Sequence, residues 1–208
     1  MLSTKNLSYS YDRQNTLEFP DLEVEADSSV LILGNSGSGK TTFLHLMAGL
    51  IKTKHGEIKI NDNLIHRFSE SEMDRFRGQN IGLVFQKSRL IHALSVWDNL
   101  RISQYFNKVK EPEVIDRFLH DLGLYNKRKR KPTSLSQGEQ QRLSIARALV
   151  NHPTIILADE PTASLDDTNT QKVIEILIDQ ASKYKATLLI ATHDQRLKEH
   201  FEQKIELA

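Results

Sequence analysis

The run Gly34-Asn35-Ser36-Gly37-Ser38-Gly39-Lys40-Thr41, followed by Thr42, fits the pattern G-x-x-x-x-G-K-[ST]. Residues of these types at this spacing bind phosphate. The glycines let successive backbone N–H groups turn toward one anion, and a helix that begins there adds a favourable dipole. Lys40 would reach the β- and γ-phosphates of a nucleotide, and the Thr41 hydroxyl is a suitable ligand for Mg²⁺. Further along, the apolar stretch Ile155-Ile156-Leu157-Ala158 ends in Asp159-Glu160. Asp159 can hold Mg²⁺ through water. Glu160 can polarise an attacking water as general base, a role worth about 10²–10⁴-fold in rate. The two stretches together predict a nucleoside triphosphate site with Mg²⁺ as its only metal.

These groups need strand ends and a helix start to hold them. Val30 to Leu33 reads as a buried strand leading into the glycine-rich run. Thr41 to Leu50 follows as a helix with Phe43, Leu44, Met47 and Leu50 on one face. Strand character also appears at Leu22-Val24-Ala26, at Ile58 and Ile60, and from Ile81 to Phe85. From about Ser88 to Val150 helices dominate. Ser95 and Asp98 resemble a capping box, Val114 to Leu122 share a face with Gly123 as the stop, and Leu143 to Val150 line a third helix. Strands return at Thr154–Ala158 and Thr187–Ala191, around a helix carrying Val173, Ile174, Leu177, Ile178 and Ala181. The alternation predicts an α/β domain with a mainly parallel sheet and a helical insertion.

Composition narrows the function. With 208 residues, one domain with an inserted subdomain is expected. Lys+Arg is 28 against Asp+Glu 27, a balance that argues against a nucleic-acid-coating domain. The absence of Cys excludes disulfides, thiol catalysis and Cys-based zinc sites. No two of the 8 His have metal-site spacing. The longest apolar runs fall far below the ~18 residues of a spanning helix, and the N-terminus shows no signal-peptide pattern. Membrane contact is therefore expected only through a partner.

Leu135-Ser136-Gln137-Gly138-Glu139-Gln140-Gln141-Arg142 resembles the signature motif of the ABC ATPases. The phosphate loop, Gln86 after a strand, this signature, Asp159-Glu160 and the late His193 stand in that family's order, and the resemblance covers nearly the whole chain. It implies a P-loop NTPase (RecA-like) core with an N-terminal antiparallel β subdomain and an inserted α-helical subdomain. The expected division is 1–87 and 153–208 for the core and 88–152 for the helical part. It also implies roles. Tyr11, with Tyr9 as competitor, resembles the aromatic that stacks on adenine. Gln86 resembles the glutamine that senses Mg²⁺ and the attacking water. Ser136 and Gly138 would serve the ATP held by a second copy, in a head-to-tail homodimer around two ATP. Ser164-Leu165-Asp166 resembles the loop crossing that interface, with Asp166 also readable as a helix N-terminal acid. His193 resembles the switch histidine that bonds the γ-phosphate and orders Glu160. Two positions depart from the family pattern: Gln137 stands where many members have Gly, and Ala26-Asp27-Ser28-Ser29 lacks a common turn Gly.

The resemblance further implies a nucleotide-binding subunit that docks on an integral-membrane permease at the cytoplasmic face, with Ser88 to Leu100 as the contact. The stretches from Ile81 to Leu100 and from Leu157 to Thr162 are most similar to the lipoprotein-release, macrolide-export and cell-division group. Ala163-Ser164-Leu165-Asp166 differs from that group's usual Gly-Asn-Leu-Asp. An importer subunit, or a non-transport ATPase acting on DNA or ribosomes, is the alternative; no nucleic-acid partner is expected. Lys127-Arg128-Lys129-Arg130-Lys131 is read as a solvated loop or as a contact for anionic lipid headgroups or an acidic partner loop.

Overall fold

A computed structural model describes residues 2–12, 15–106, 111–163 and 165–207; Ser164 of the expected interface loop lies outside them. The chain opens with three strands, β1 (Leu2–Ser10), β2 (Thr16–Glu18) and β3 (Leu22–Val24), before β4 (Ser29–Gly34) and α1 (Lys40–Met47). β5 (His55–Ile60) and β6 (Asn63–Leu64) follow, then α2 (Glu70–Asn80) and β7 (Ile81–Val84). Helices α3 (Val96–Arg101), α4 (Pro112–Asp121) and α5 (Gln137–Leu149) come next. The chain closes with β8 (Ile155–Asp159), α6 (Asp167–Tyr184), β9 (Thr187–Thr192) and β10 (Gln203–Leu207).

Two sheets result. β1 pairs antiparallel with β2, β3 and β5, and β5 with β6. The second sheet is parallel throughout, in the order β10-β4-β9-β8-β7. Its inner strands β4, β9 and β8 are buried on both faces and alternate between two cores, which is why they read as continuous apolar runs. Val30, Ile32, Ile155, Leu157, Leu189 and Ala191 face α1 and the antiparallel sheet. Leu31, Leu33, Ile156, Ala158, Leu188 and Ile190 face α5, α6 and the helices between β7 and β8. Because every strand of this sheet runs the same way, the ends of β4, β9, β8 and β7 open on one edge. That edge is where open α/β sheets bind ligands.

The expected elements are present, with shifted ends. α1 stops at Met47, ahead of Gly49 in the left-handed region (φ +61°), so Leu50 lies past the helix and is 40% exposed. Ser95 accepts from Asp98 N and so caps α3. Gly123 takes φ +68° just beyond α4. None of the described helices is long and apolar enough to cross a membrane.

Candidate functional site

The phosphate loop joins β4 to α1. Gly37 and Gly39 sit at φ +88° and +90°, a region that a side chain makes costly. α1 has Gly39 as its N-cap and no side-chain cap, so its first N–H groups are left for a ligand. The buried Ser38 hydroxyl likewise has no hydrogen-bond partner among the described residues. Lys40 is folded over the loop, its Nζ donating to the carbonyls of Gly34 (2.8 Å) and Asn35 (2.9 Å).

At the next strand ends the acidic pair meets this loop. The Thr41 hydroxyl donates to both Asp159 oxygens, at 3.2 and 2.9 Å. Burial pushes the Asp159 carboxyl above its ordinary pKa, and the Thr41 hydrogen bond opposes that only in part. Glu160 is a non-glycine residue at φ +46°, held there by its N–H bond to the Ala191 carbonyl (2.8 Å). Such a backbone conformation costs about 1–3 kcal/mol and persists where the surroundings fix it. Thr192 Oγ1 donates to Glu160 Oε2 at 2.9 Å. His193 N donates to Oε1 at 3.1 Å, and His193 Nδ1 lies 2.8 Å from that same oxygen. Lys40 Nζ is 3.6 Å away. Both carboxylate oxygens are thus oriented by the end of β9 and the residue after it, while the Glu160 side chain remains 11% exposed.

These groups surround one cavity of about 760 Å³. Its lining includes Asn35, Ser36, Gly37, Gly39 to Thr42, Gln86, Glu160 and His193. Tyr11 closes one side, with its hydroxyl 2.8 Å from Thr42 Oγ1 and its ring edge-on to Tyr9. Of the two tyrosines it is Tyr11 that faces the cavity, while Tyr9 packs on the core. Gln86 also lines a second cleft, shared with Ser88, Gln137, Gln140, Gln141 and Pro161 at the start of α5.

Six expected site residues are not in the cavity wall: Gly34, Ser38 and Asp159 sit directly behind it, next in chain or bonded to lining residues, and the other three stand elsewhere. Ser136 is the N-cap of α5, and with Glu139 it forms a reciprocal capping box. Gly138 lies in that first turn. Asp166 caps α6, accepting from Asn169 N and Nδ2 at 2.9 and 2.7 Å. Several contributors were not singled out from the sequence. Thr192, which fixes one Glu160 oxygen, is signalled only by its place at a strand end before a histidine. Gln141 stands inside the signature stretch but carries no assigned role there, and it donates to the Pro161 carbonyl at 2.8 Å. Arg147 donates to two loop carbonyls and belongs to no recognisable motif. Among the described residues, two of the five basic side chains are engaged: Lys127 pairs with Glu139, and Arg128 stacks 4.1 Å over Tyr125.

The profile of the ABC transporter family matches residues 17–163. The lipoprotein-releasing system ATP-binding protein LolD of Bacteroides thetaiotaomicron is 36% identical over 200 residues, spanning 95% of this chain and 92% of that protein. The bacitracin export ATP-binding protein BceA of Halalkalibacterium halodurans is 34% identical over 201 residues, 93% of this chain and 79% of that protein. Among solved structures, the dimeric post-hydrolysis state of the ATP-binding cassette MJ0796, bound to ADP and Pi, superposes with a TM-score of 0.90 at 31% identity. It covers 100% of this chain and 94% of that one. With its phosphate loop, acidic pair and signature on one α/β frame, the chain belongs to the ABC transporter family and is the ATP-binding, ATP-hydrolysing subunit of such a transporter.

Proposed function

We propose that two copies of this chain close around two ATP and drive a membrane permease in lipoprotein release or a related export process. The observation that carries the reading is the split of the site. Everything needed to hold and attack a triphosphate meets at the strand ends, while Ser136, Gly138 and Asp166 stand outside that cavity. Packing within the chain does not demand glycine at 138, since an added Cβ would meet Asn169 Oδ1 at 3.4 Å, an ordinary contact. A second copy's phosphate approaching the start of α5 supplies that demand.

In this reading the N–H groups of Asn35 to Thr42 and the Lys40 ammonium bind the phosphates, with Tyr11 under the base. The hydroxyl of Thr41, the carboxylate of Asp159 and the amide oxygen of Gln86 are hard oxygen donors suited to Mg²⁺. A site with one carboxylate matches that ion's habit of taking its remaining ligands from phosphate and water. Bound there, Mg²⁺ would offset charge on the β- and γ-phosphates. Glu160, oriented by Thr192 and His193, takes the proton of the attacking water, and His193 holds the γ-phosphate side. Residues 88–152 turn as a unit against 1–87 and 153–208. A short cytoplasmic helix of the permease would dock against Ser88 to Leu100 and the adjoining groove of about 440 Å³ between α2, β7 and α5. The groove's own lining includes Arg77, Leu83, Phe85 and Arg147 but no residue of 88–100, and Arg147 links the two through its bonds to the Ser88 and Arg89 carbonyls. The subunit would work at the cytoplasmic face through that partner. The names of the LolD and BceA relatives favour release or export over import.

The Glu160→Gln variant tests the catalytic half. It should bind ATP like the parent, turn over about 10³-fold more slowly and elute as a dimer with ATP in size-exclusion chromatography. Parental turnover, or a monomer at saturating ATP, would sink the reading. Purification of the assembled complex from membranes tests the other half, since a co-purifying permease with a large extracytoplasmic domain is expected. RNA or DNA without a membrane protein would reject it.

A further inference from the structure

We infer that Arg147 is a positioning residue for ATP hydrolysis, fixing the segment behind Gln86 to α5. Its guanidinium donates through Nη1 to the Arg89 carbonyl (2.6 Å) and through Nη2 to the Ser88 carbonyl. No carboxylate lies within ion-pair distance of it among the described residues. Burial holds its pKa below the usual arginine value. A half-buried cation with no carboxylate partner among the described residues carries a desolvation cost that well-placed acceptors offset. Both carbonyls face α5 only if the segment keeps its present shape, and Arg89 contributes by sitting at φ +39°, unusual for a side chain of that size. The Arg89 guanidinium lies 5.3 Å over the Phe85 ring, one residue from Gln86.

The other end of the segment is tied down as well. The buried Asn99 of α3 accepts from Ile91 N (2.9 Å) and donates to the Ile91 carbonyl (3.1 Å). Residues 88 to 91 are therefore bonded to α3 and α5, while Gln86 at their head lines the nucleotide cavity. α5 itself starts at Ser136 and Gly138, and through Gln141 it holds the Pro161 carbonyl beside Glu160. One helix thus touches the backbone on both sides of the site, and Arg147 is its grip on the Gln86 side. A displacement of α5 moves Gln86 only as long as that grip is bidentate. Lysine, a point charge without the planar fork, cannot reproduce it.

This inference rests on Gln86 acting in hydrolysis, so the test is a cycle in the full-length chain with Mg-ATP. Arg147→Ala should lower kcat about tenfold and leave KM within about twofold, because no nucleotide contact is lost. Arg147→Lys should stay well below the parental kcat. The double variant Gln86→Ala/Arg147→Ala should be no slower than Gln86→Ala alone, since Arg147 acts through Gln86. Multiplying losses, a raised KM with parental kcat, or full activity in Arg147→Lys would overturn the assignment. If Arg147→Ala does not fold, the same cycle runs with Arg147→Lys. Parental kcat in Gln86→Ala would instead remove the role of Gln86, a failure distinct from additivity in the cycle.

Discussion

Two helix starts in this chain are built of small residues, and they are finished in opposite ways. α1 begins at Gly39 with no side-chain cap, its neighbouring Ser38 hydroxyl unpartnered among the described residues and Lys40 resting on loop carbonyls. α5 begins at Ser136 with a complete capping box, and Lys127 neutralises the Glu139 that closes it. The first leaves its donors free for an anion, the second is a self-satisfied helix end. On the proposed function the difference divides the labour: one chain would bind ATP by itself, and the start of α5 would take part when a phosphate is brought to it by another copy.

Lys40→Ala should break the comparison from the first side. It removes the cation over the phosphate loop, and loss of charge-assisted hydrogen bonds worth about 1.5–3 kcal/mol corresponds to roughly 10–150-fold weaker ATP binding. Equilibrium titration of the monomer with ATP measures it, and retained tight binding would contradict the phosphate-loop reading.

Gly138→Asp probes the second side. An acid in the first turn of a helix suits its own dipole, so folding should be preserved. ATP affinity of the monomer should stay within about twofold, and turnover should fall about tenfold or more as the carboxylate meets a phosphate across the dimer. If monomer affinity collapsed with turnover, the two helix starts would belong to one site in one chain.

Most of the phosphate-binding half is legible in the sequence because its motifs end continuous apolar strands, and strands buried on both faces leave an unmistakable run. The α5 half is less so. Ser136 and Asp166 are readable as caps or as interface residues, and the single chain uses both as caps. α2 and β10 have no apolar signal: α2 buries only Met73, and β10 is the alternating, mostly exposed edge Gln203–Leu207, held by pairing with β4. Arg147 and Asn99 are invisible for a different reason, since they bind backbone carbonyls and N–H groups that no side-chain pattern encodes. The basic run is read from the sequence as surface charge. In the fold, the carbonyls of Arg128 and Arg130 receive the N–H groups of Trp97 and Val96 at the start of α3, a use of backbone that composition cannot show.

The smallest expected effect concerns two carboxylates displaced in opposite directions. Burial raises the Asp159 pKa. The Lys127 hydrogen bond lowers that of Glu139. A carboxyl whose folded pKa is raised keeps its proton longer in the folded state than in the unfolded one. Stability of the nucleotide-free chain therefore declines as pH climbs through that window and stays lower at neutral pH. Asp159→Asn retains an acceptor for the Thr41 hydroxyl and removes the charge. It should raise Tm without nucleotide at pH 7 by about 2–4 °C, the response of a chain this size to about 1 kcal/mol. The gap should narrow on acidification. With Mg-ATP the order should reverse, because the parent gains ligand stabilisation that the variant forfeits. Glu139→Gln should do the contrary, lowering Tm at pH 7 by about 1–2 °C, the response to about 0.5 kcal/mol, the middle of the range of about 0–1 kcal/mol for a partly exposed pair. Its loss should fade as pH falls through the lowered Glu139 pKa, and Mg-ATP should leave it unchanged in the monomer. A stabilised Glu139→Gln or a destabilised nucleotide-free Asp159→Asn would mean that the tension lies at α5, and the contrast between the two helix starts would have to be drawn the other way.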